Sequence, residues 1–220
     1  MTGGVWDREA AGIILRRDFG RAIVTVLGRI DGRPVGLLAS NPRHLSGAID
    51  ADGADTATRF LQLCQARGLP VVSLCDTPGF MVGPDSEKQA TVRRFGAMFA
   101  AAAKLTVPQV TVVLRKAYGL GAMAMAGGYL RASLLTVAWP TGEFGGMGLE
   151  GMVKLGYRRE LDAIEGEAER DRRFAERVAE FSERGKALST ASLFEIADVI
   201  DPASTRSVIA TALSQANVIS

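Results

Sequence analysis

Residues 115–125, Arg-Lys-Ala-Tyr-Gly-Leu-Gly-Ala-Met-Ala-Met, have the composition of a site that acts through backbone groups. An apolar strand predicted over residues 110–114 leads into this glycine-rich turn, and a helix of small residues is predicted to run to about Gly127. The first N–H groups of a helix lack intrahelical acceptors, and the positive end of the helix dipole lies there. We expect the turn to bind a developing negative charge, on either a phosphate or an enolate oxygen.

A second turn-rich loop, residues 76–83, follows a buried strand predicted over residues 71–75. Loops at the carboxyl ends of parallel strands lie on the same sheet edge, where ligands of open α/β sheets bind. Phe80 in this loop, with Leu120 and Gly121 in the other, can therefore direct N–H groups at one oxyanion. Each glycine turn alone also suits a simple chain reversal without a ligand.

The later turn also fits the dinucleotide fingerprint Gly-x-Gly-x-x-Ala at Gly119, Gly121 and Ala124, with Glu143 as the more distant acid. The fit is weak because the fingerprint glycine follows its strand directly, whereas residues 115–118 intervene in this prediction. The fingerprint also normally lies in the first βαβ unit of a sheet. We therefore favour the oxyanion interpretation.

The ionisable side chains show no spacing that requires acid–base or metal chemistry. Capping or surface roles suit the nearby acids, which are Asp76, Asp85, Glu87, Glu143 and Glu150. Solvated positions, or contacts to a phosphorylated cofactor, suit the nearby bases, which are Lys88, Lys104, Arg115, Lys116 and Lys154. His44 is the single histidine, so a histidine-rich metal site is excluded. We expect His44 in an exposed loop and no metal site.

The bulk composition indicates one folded domain over residues 1–220, with residues 1–17 as a partly disordered or packed N-terminal extension. A chain of this length buries about 70% of its unfolded surface, and 47% of its residues are hydrophobic, which argues against disorder. The net charge of +2 is too small to indicate nucleic-acid binding. No membrane span or leader sequence is recognisable, so we expect a cytoplasmic protein. Cys64 and Cys75 are expected to be buried and reduced.

Strand and helix signals alternate through the middle of the chain. Residues 22–29 and 35–40 flank an Asp-Gly pair at positions 31 and 32, which predicts a β-hairpin. A helix over residues 54–67 should end at Gly68. The βαβ alternation that follows predicts an α/β fold with parallel strands.

The remaining elements are predicted from apolar spacing. A second helix should begin near Ser86, with Gln89 completing a capping box, and should bury Val92, Phe95, Phe99 and Ala102. A strand is predicted over residues 134–139. One long, charged, amphipathic helix is predicted over residues 158–186, and two short closing helices over 192–196 and 204–213.

Several segments resemble, in order, the carboxyltransferase (β) subunits of biotin-dependent acyl-CoA carboxylases of the propionyl-CoA and acetyl-CoA type. The segments are Asp-Gly-Arg-Pro-Val-Gly at 31–36, Asp-Thr-Pro-Gly-Phe at 76–80, Val-Pro at 107–108, residues 111–119, and Ala-Trp-Pro-Thr at 138–141. The similarity covers about residues 18–213 and concerns the C-terminal crotonase-like half of those subunits. It implies a crotonase-like ββα spiral with a long charged C-terminal helix.

The resemblance implies that this half holds carboxybiotin, while an N-terminal-type half from another subunit holds acyl-CoA. Phe80, Leu120 and Gly121 would then form the oxyanion hole for the biotin enolate, with Gly79, Tyr118, Gly119 and Ala122 as cofactor-binding positions. Carboxybiotin would release CO₂ and leave the biotin enolate. This enolate would take a proton from the acyl α-carbon, and the resulting thioester enolate would attack the CO₂. Implied partners are a biotin carboxyl carrier or biotin carboxylase subunit and further copies of the chain in a homo-oligomer.

One departure from the resemblance concerns the turn itself. Many members have Gly-Gly-Ala after Ala-Tyr, whereas this chain has Gly119-Leu120-Gly121-Ala122. The backbone donors remain, but the pocket lining changes. Three alternatives stay open: a biotin-dependent acyl-CoA decarboxylase subunit, a crotonase-type hydratase or isomerase that uses Glu143 or Glu150, and a non-catalytic assembly module. The chain without its partner half is expected to have little transferase activity.

Overall fold

The computed structural model describes Val5, Asp7 and residues 12–216. The strands in this part of the chain are β1 (Ile13–Leu15), β2 (Ile23–Ile30), β3 (Arg33–Ser40), β4 (Val71–Thr77), β5 (Gln109–Tyr118), β6 (Leu135–Ala138), β7 (Glu143–Gly145) and β8 (Asp198–Val199). They form an eight-stranded sheet with the order β1-β2-β3-β4-β5-β6-β8, and β7 pairs with β5. The expectation for residues 1–17 falls largely outside the described residues.

The first three strands pair antiparallel, and β3 to β8 pair in parallel. The predicted hairpin and the parallel α/β arrangement are confirmed. Asp31 and Gly32 connect β2 to β3 with φ of 53° and 73°, the consecutive left-handed pair of a tight hairpin turn. All seven residues of β4 are buried, as expected of a parallel strand covered on both faces.

Helices cover both faces of the sheet. They are α1 (Ala51–Arg67), α2 (Pro84–Glu87), α3 (Thr91–Ala103), α4 (Gly119–Met125), α5 (Leu149–Gly156), α6 (Arg158–Asp162), α7 (Glu167–Gly185), α8 (Ala187–Ser192) and α9 (Thr205–Ala216). Phe60 of α1 and Met98 of α3 pack on one face, and Ile209 and Leu213 of α9 pack on the other. None of the helices described is long and apolar enough to cross a lipid bilayer.

Helix α1 has a capping residue at each end. The Asp50 carboxylate accepts a hydrogen bond from Gly53 N at 2.8 Å and caps the helix, which begins three residues before its predicted start. Gly68 ends it with φ 63°, as predicted.

The prediction for the second helix was wrong in its start and in one of its four buried positions, Val92. The chain forms α2 and then α3, separated by Ala90 with φ 53°, and Ser86 Oγ donates to Met81 O rather than capping a longer helix. Val92 is 81% exposed, whereas Met98 is fully buried. Ala102 is buried, and Phe95 and Phe99 pack against the core, so α3 packs through most of its predicted face together with Met98.

The charged region at 158–186 is also divided, so the single long helix was wrong. Residues 163–166 separate α6 from α7, and Glu160 on α6 accepts hydrogen bonds from Arg173 and Arg177 on α7 at 3.0 and 3.1 Å. These pairs hold the two helices side by side. Strands β1 and β7 and helix α5 were not predicted, and the closing helix predicted at 192–196 lies instead at α8.

Candidate active site

The strand β5 passes directly into α4 at Gly119. The predicted strand ended at residue 114, but Lys116, Ala117 and Tyr118 pair with β7 and extend it. Gly119 has φ 60°, which glycine adopts at no steric cost and which turns the chain sharply into the helix. Residues 115–118 were predicted to separate the strand from the first glycine, but they belong to the strand, so this prediction was wrong. The motif still lies later in the chain than a dinucleotide fingerprint normally does.

The two glycine bends are in direct backbone contact. A Cβ built on Gly121 would lie 2.8 Å from both Gly79 Cα and Gly79 C, and 2.9 Å from Phe80 N. A Cβ on Gly79 would lie 3.1 Å from Tyr118 O. The approach is possible only because neither residue has a side chain. The bend at residues 79–80 and the first turn of α4 thus meet at one edge of the sheet.

Among the residues that the structure describes, the Phe80 amide and the first amides of α4 have no backbone acceptor. Ile49 N donates to Gly79 O at 3.0 Å, and Met81 N donates to Ile49 O at 2.9 Å. This bridge occupies the Gly79 carbonyl and the Met81 amide, which flank the Phe80 amide in the chain. Within the described residues Phe80 N–H has no acceptor. Leu120 and Gly121 are the second and third residues of α4, where N–H groups have no intrahelical partner. The junction therefore offers unpaired donors from two loops.

Thr77 holds the first bend through its hydroxyl group, a role that was not predicted from the sequence. Its buried hydroxyl donates to Gly47 O at 2.8 Å and accepts from Gly79 N at 3.1 Å. These bonds tie the bend to the loop that precedes α1. The signal was present, because threonine hydroxyls before Pro-Gly commonly bond backbone groups two residues on.

Tyr118 is buried at the end of β5, next to the second bend. Its hydroxyl donates to Glu143 Oε2 at 2.7 Å, and Ser182 Oγ donates to Glu143 Oε1 at 2.8 Å. Burial, followed by the hydrogen bond to Glu143 and the negative charges of Glu143 and Glu150, raises the pKa of Tyr118 above its ordinary value. Both carboxylate oxygens of Glu143 already accept hydrogen bonds. Glu143 therefore holds Tyr118 in place next to the turn rather than serving as a free base.

Several of the other predicted ionisable positions have structural partners. Asp76 is buried and accepts from Arg115 Nε and Lys116 N, each at 3.2 Å. Asp85 pairs with Lys88 at 2.8 Å on the surface. His44 was expected to be exposed, but it is half-buried because its Nε2 lies 3.1 Å from the helix-capping carboxylate of Asp50.

Metal binding depends on clustered ligands, and thiol chemistry depends on accessible thiolates. The described residues contain no cluster of three His, Cys, Asp or Glu side chains able to hold a metal ion. Cys64 and Cys75 are unpaired and buried, as predicted. Burial raises the pKa of each thiol to about 12, so both are protonated near neutral pH.

An apolar cavity of about 550 Å³ opens beside the two bends. The rings of Phe80 and Phe95 stack in its wall with centroids 4.2 Å apart. Leu120, from the start of α4, is 62% exposed at the same cavity. The lining consists of Phe80, Met81, Val82, Glu87, Thr91, Val92, Phe95, Gly96, Phe99, Ala100 and Leu120.

Residues 15–217 match the family model of the carboxyl transferase domain. The chain is 36% identical to the propionyl-CoA carboxylase carboxyltransferase subunit of Haloferax mediterranei, across 94% of this chain and 39% of that subunit. The chain therefore spans about two fifths of that relative's length.

Two solved structures are similar to this fold. A single-chain, multi-domain long-chain acyl-CoA carboxylase is 57% identical with a TM-score of 0.82, over 92% of this chain and 20% of that one. The transcarboxylase 12S structure is 32% identical with a TM-score of 0.88, over 97% of this chain and 40% of that one. These likenesses confirm the predicted crotonase-like fold, and the match over nearly the whole chain shows that the protein belongs to the carboxyl transferase domain family.

Proposed function

We propose that this chain is the biotin-side half of a carboxyltransferase that moves a carboxyl group from carboxybiotin to the α-carbon of an acyl-CoA. The observation that carries the proposal is the contact between Gly121 and the 79–80 bend, with unpaired N–H groups on both sides. Membership of the carboxyl transferase domain family and relatives named as acyl-CoA carboxylases support it.

The junction is suited to a ureido oxygen. Its donors are neutral backbone N–H groups of Phe80, Leu120 and Gly121, which stabilise an oxygen as its negative charge develops. Carboxylated biotin, when bound, supplies the carboxyl group and, after losing it, a ureido base that takes the α-proton. Gly79 and Gly119 allow the backbone to pack closely here, since a Cβ would lie 3.1 Å from Tyr118 O or 2.9 Å from Gly146 O, respectively. Tyr118 and Ala122 are buried next to these turns. The fixed donors are already oriented, so no reorganisation is needed as charge develops.

We extend this proposal to the assembly. The chain spans about two fifths of the Haloferax subunit, so a CoA-binding half must come from another segment or chain. A biotin carboxyl carrier with its biotin carboxylase would deliver the carboxyl group, and further copies of the chain would form a homo-oligomer in the cytoplasm. The transcarboxylase 12S structure is described as a hexamer assembly, which supports the oligomer. A hydratase or isomerase is less consistent with this site, because Glu143 is held by two donors.

Substitution of one donor tests the proposal. Leu120→Pro removes one N–H in the first turn of a helix, where proline is tolerated, while Leu120→Ala shortens the side chain and keeps the donor. Each variant is assembled with the CoA-binding half and a biotinylated carrier, and carboxyl transfer to acyl-CoA is timed. We expect kcat to fall about 10²–10³-fold in Leu120→Pro and only a few-fold in Leu120→Ala. A folded Leu120→Pro enzyme with an unchanged kcat would overturn the assignment.

A further inference from the structure

We propose that the cavity between α3 and the two bends receives the apolar acyl chain of the CoA thioester, and that Gly96 sets the chain length it accepts. This inference rests on the proposed carboxyltransferase function and deepens it by naming a substrate class. No side chain of the proposed anion site is altered by the test below, so the two ideas can fail separately.

The position of the cavity connects it to the reacting atoms. Phe80 and Leu120 contribute both the backbone donors of the junction and side chains of the cavity wall. Reacting atoms must lie about 3–3.5 Å apart before the carbon–carbon bond forms, so the acyl α-carbon must stand beside those donors. The rest of the acyl chain then continues from the junction into the space that begins there.

The lining favours hydrocarbon. Aromatic and aliphatic side chains make up most of the wall, and Glu87 is the one ionisable residue among those that line it. Val82 and Val92 are 84% and 81% exposed at its rim, an apolar surface of the kind that marks a binding site. A volume of about 550 Å³ lies within the range of small-molecule sites. The chemistry of the surface thus matches a fatty acyl chain.

Gly96 is the position on α3 from which this volume can be changed without disturbing the fold. It lines the cavity, and a Cβ built on it would meet no atom within 4 Å. A leucine there would fill part of the cavity. Gly156 is a matched control: it also lies in a helix, its Cβ would also meet nothing within 4 Å, and it is not part of the cavity. Both substitutions replace a helical glycine by leucine, Gly96 inside α3 and Gly156 at the last residue of α5, so both change helix propensity in the same direction.

The test compares acetyl-CoA with palmitoyl-CoA for the unaltered chain, Gly96→Leu and Gly156→Leu, each assembled with the CoA-binding half and biotinylated carrier. We expect kcat/KM for palmitoyl-CoA to fall at least about tenfold in Gly96→Leu, with acetyl-CoA within about twofold and Gly156→Leu unchanged. Calorimetric affinity for palmitoyl-CoA relative to acetyl-CoA should fall in the same variant, and this readout does not need turnover.

Three outcomes would overturn the inference. An equal loss for both thioesters would place biotin in the cavity. Loss of assembly in Gly96→Leu, measured by size-exclusion chromatography, would show that the CoA-binding half covers it. The third outcome is that the palmitoyl-CoA value divided by the acetyl-CoA value stays unchanged in Gly96→Leu, both for kcat/KM and for affinity. This would show that no part of the acyl chain enters the cavity. By contrast, the absence of transfer to any acyl-CoA in the unaltered assembly would count against the proposed function.

Discussion

Gly121→Ala adds one methyl group at the junction of the two bends. Gly121 has an ordinary helical backbone conformation, so alanine meets no dihedral penalty there, and the effect is steric. The new Cβ would lie 2.8 Å from Gly79 Cα and 2.9 Å from Phe80 N. Favourable contact between carbon atoms begins at about 3.5–4.0 Å, so the bends must separate by roughly 0.5–1 Å. Both colliding groups are backbone, and neither can rotate away.

The separation should cost more in activity than in stability. Overpacking of this kind typically destabilises by about 1–3 kcal/mol. Displacing one oxyanion donor costs about 2.7–4 kcal/mol of transition-state stabilisation, which corresponds to a 10²–10³-fold lower kcat. KM for acyl-CoA should change little, because Gly121 is not among the residues that line the cavity.

A single-turnover assay from carboxylated carrier to acyl-CoA measures the chemical step, and a thermal melt confirms the fold. Gly156→Ala is the matched control, since its Cβ meets open space and its rate should equal that of the unaltered chain. If folded Gly121→Ala transferred carboxyl groups at the full rate, the close approach of the two bends would have no catalytic purpose.

Three other perturbations have defined expectations. Thr77→Val keeps the shape but leaves Gly79 N–H without its acceptor, so unfolding in urea should show a loss of about 1–3 kcal/mol; an unchanged midpoint would contradict this. Tyr118→Phe removes the bond to Glu143 and should lower the free energy of unfolding by about 1 kcal/mol in the same assay, unless that bond contributes nothing. Between their ordinary pKa and about 12, the thiols of Cys64 and Cys75 keep their protons only in the folded state, so stability should fall as pH rises through that range. Urea titrations at increasing pH check this, and replacing both cysteines by alanine should flatten the profile.

Signals that depend on a few adjacent residues were sufficient for much of the fold. Asp31-Gly32 predicted its hairpin because the tight turn needs two left-handed residues, and Gly68 predicted the end of α1 for the same steric reason. The glycine turn at 119–121 was correctly expected to open a helix with unpaired donors. Such features depend on backbone sterics and capping, which the neighbouring residues specify.

Local sequence patterns could not predict which residues of a helix pack on the sheet or which helices pair with each other. Helix α3 has more apolar positions than it can bury, and packing against the sheet buried Met98 and left Val92 exposed. Likewise α6 and α7 looked continuous in their charge pattern, but Glu160 pairs across the break with Arg173. In each case the winning arrangement depends on residues that are distant in the chain.

From its own chemistry the chain specified the parallel α/β class, the two glycine bends and the small residues that allow close approach. Three features arose only on folding. They are the contact between Gly121 and the 79–80 bend, the hydrogen bonds of Thr77 and Glu143 that support it, and the cavity beside α3. The reason is physical: backbone conformation responds to adjacent residues, whereas a contact between two loops exists only after the strands that carry them have paired.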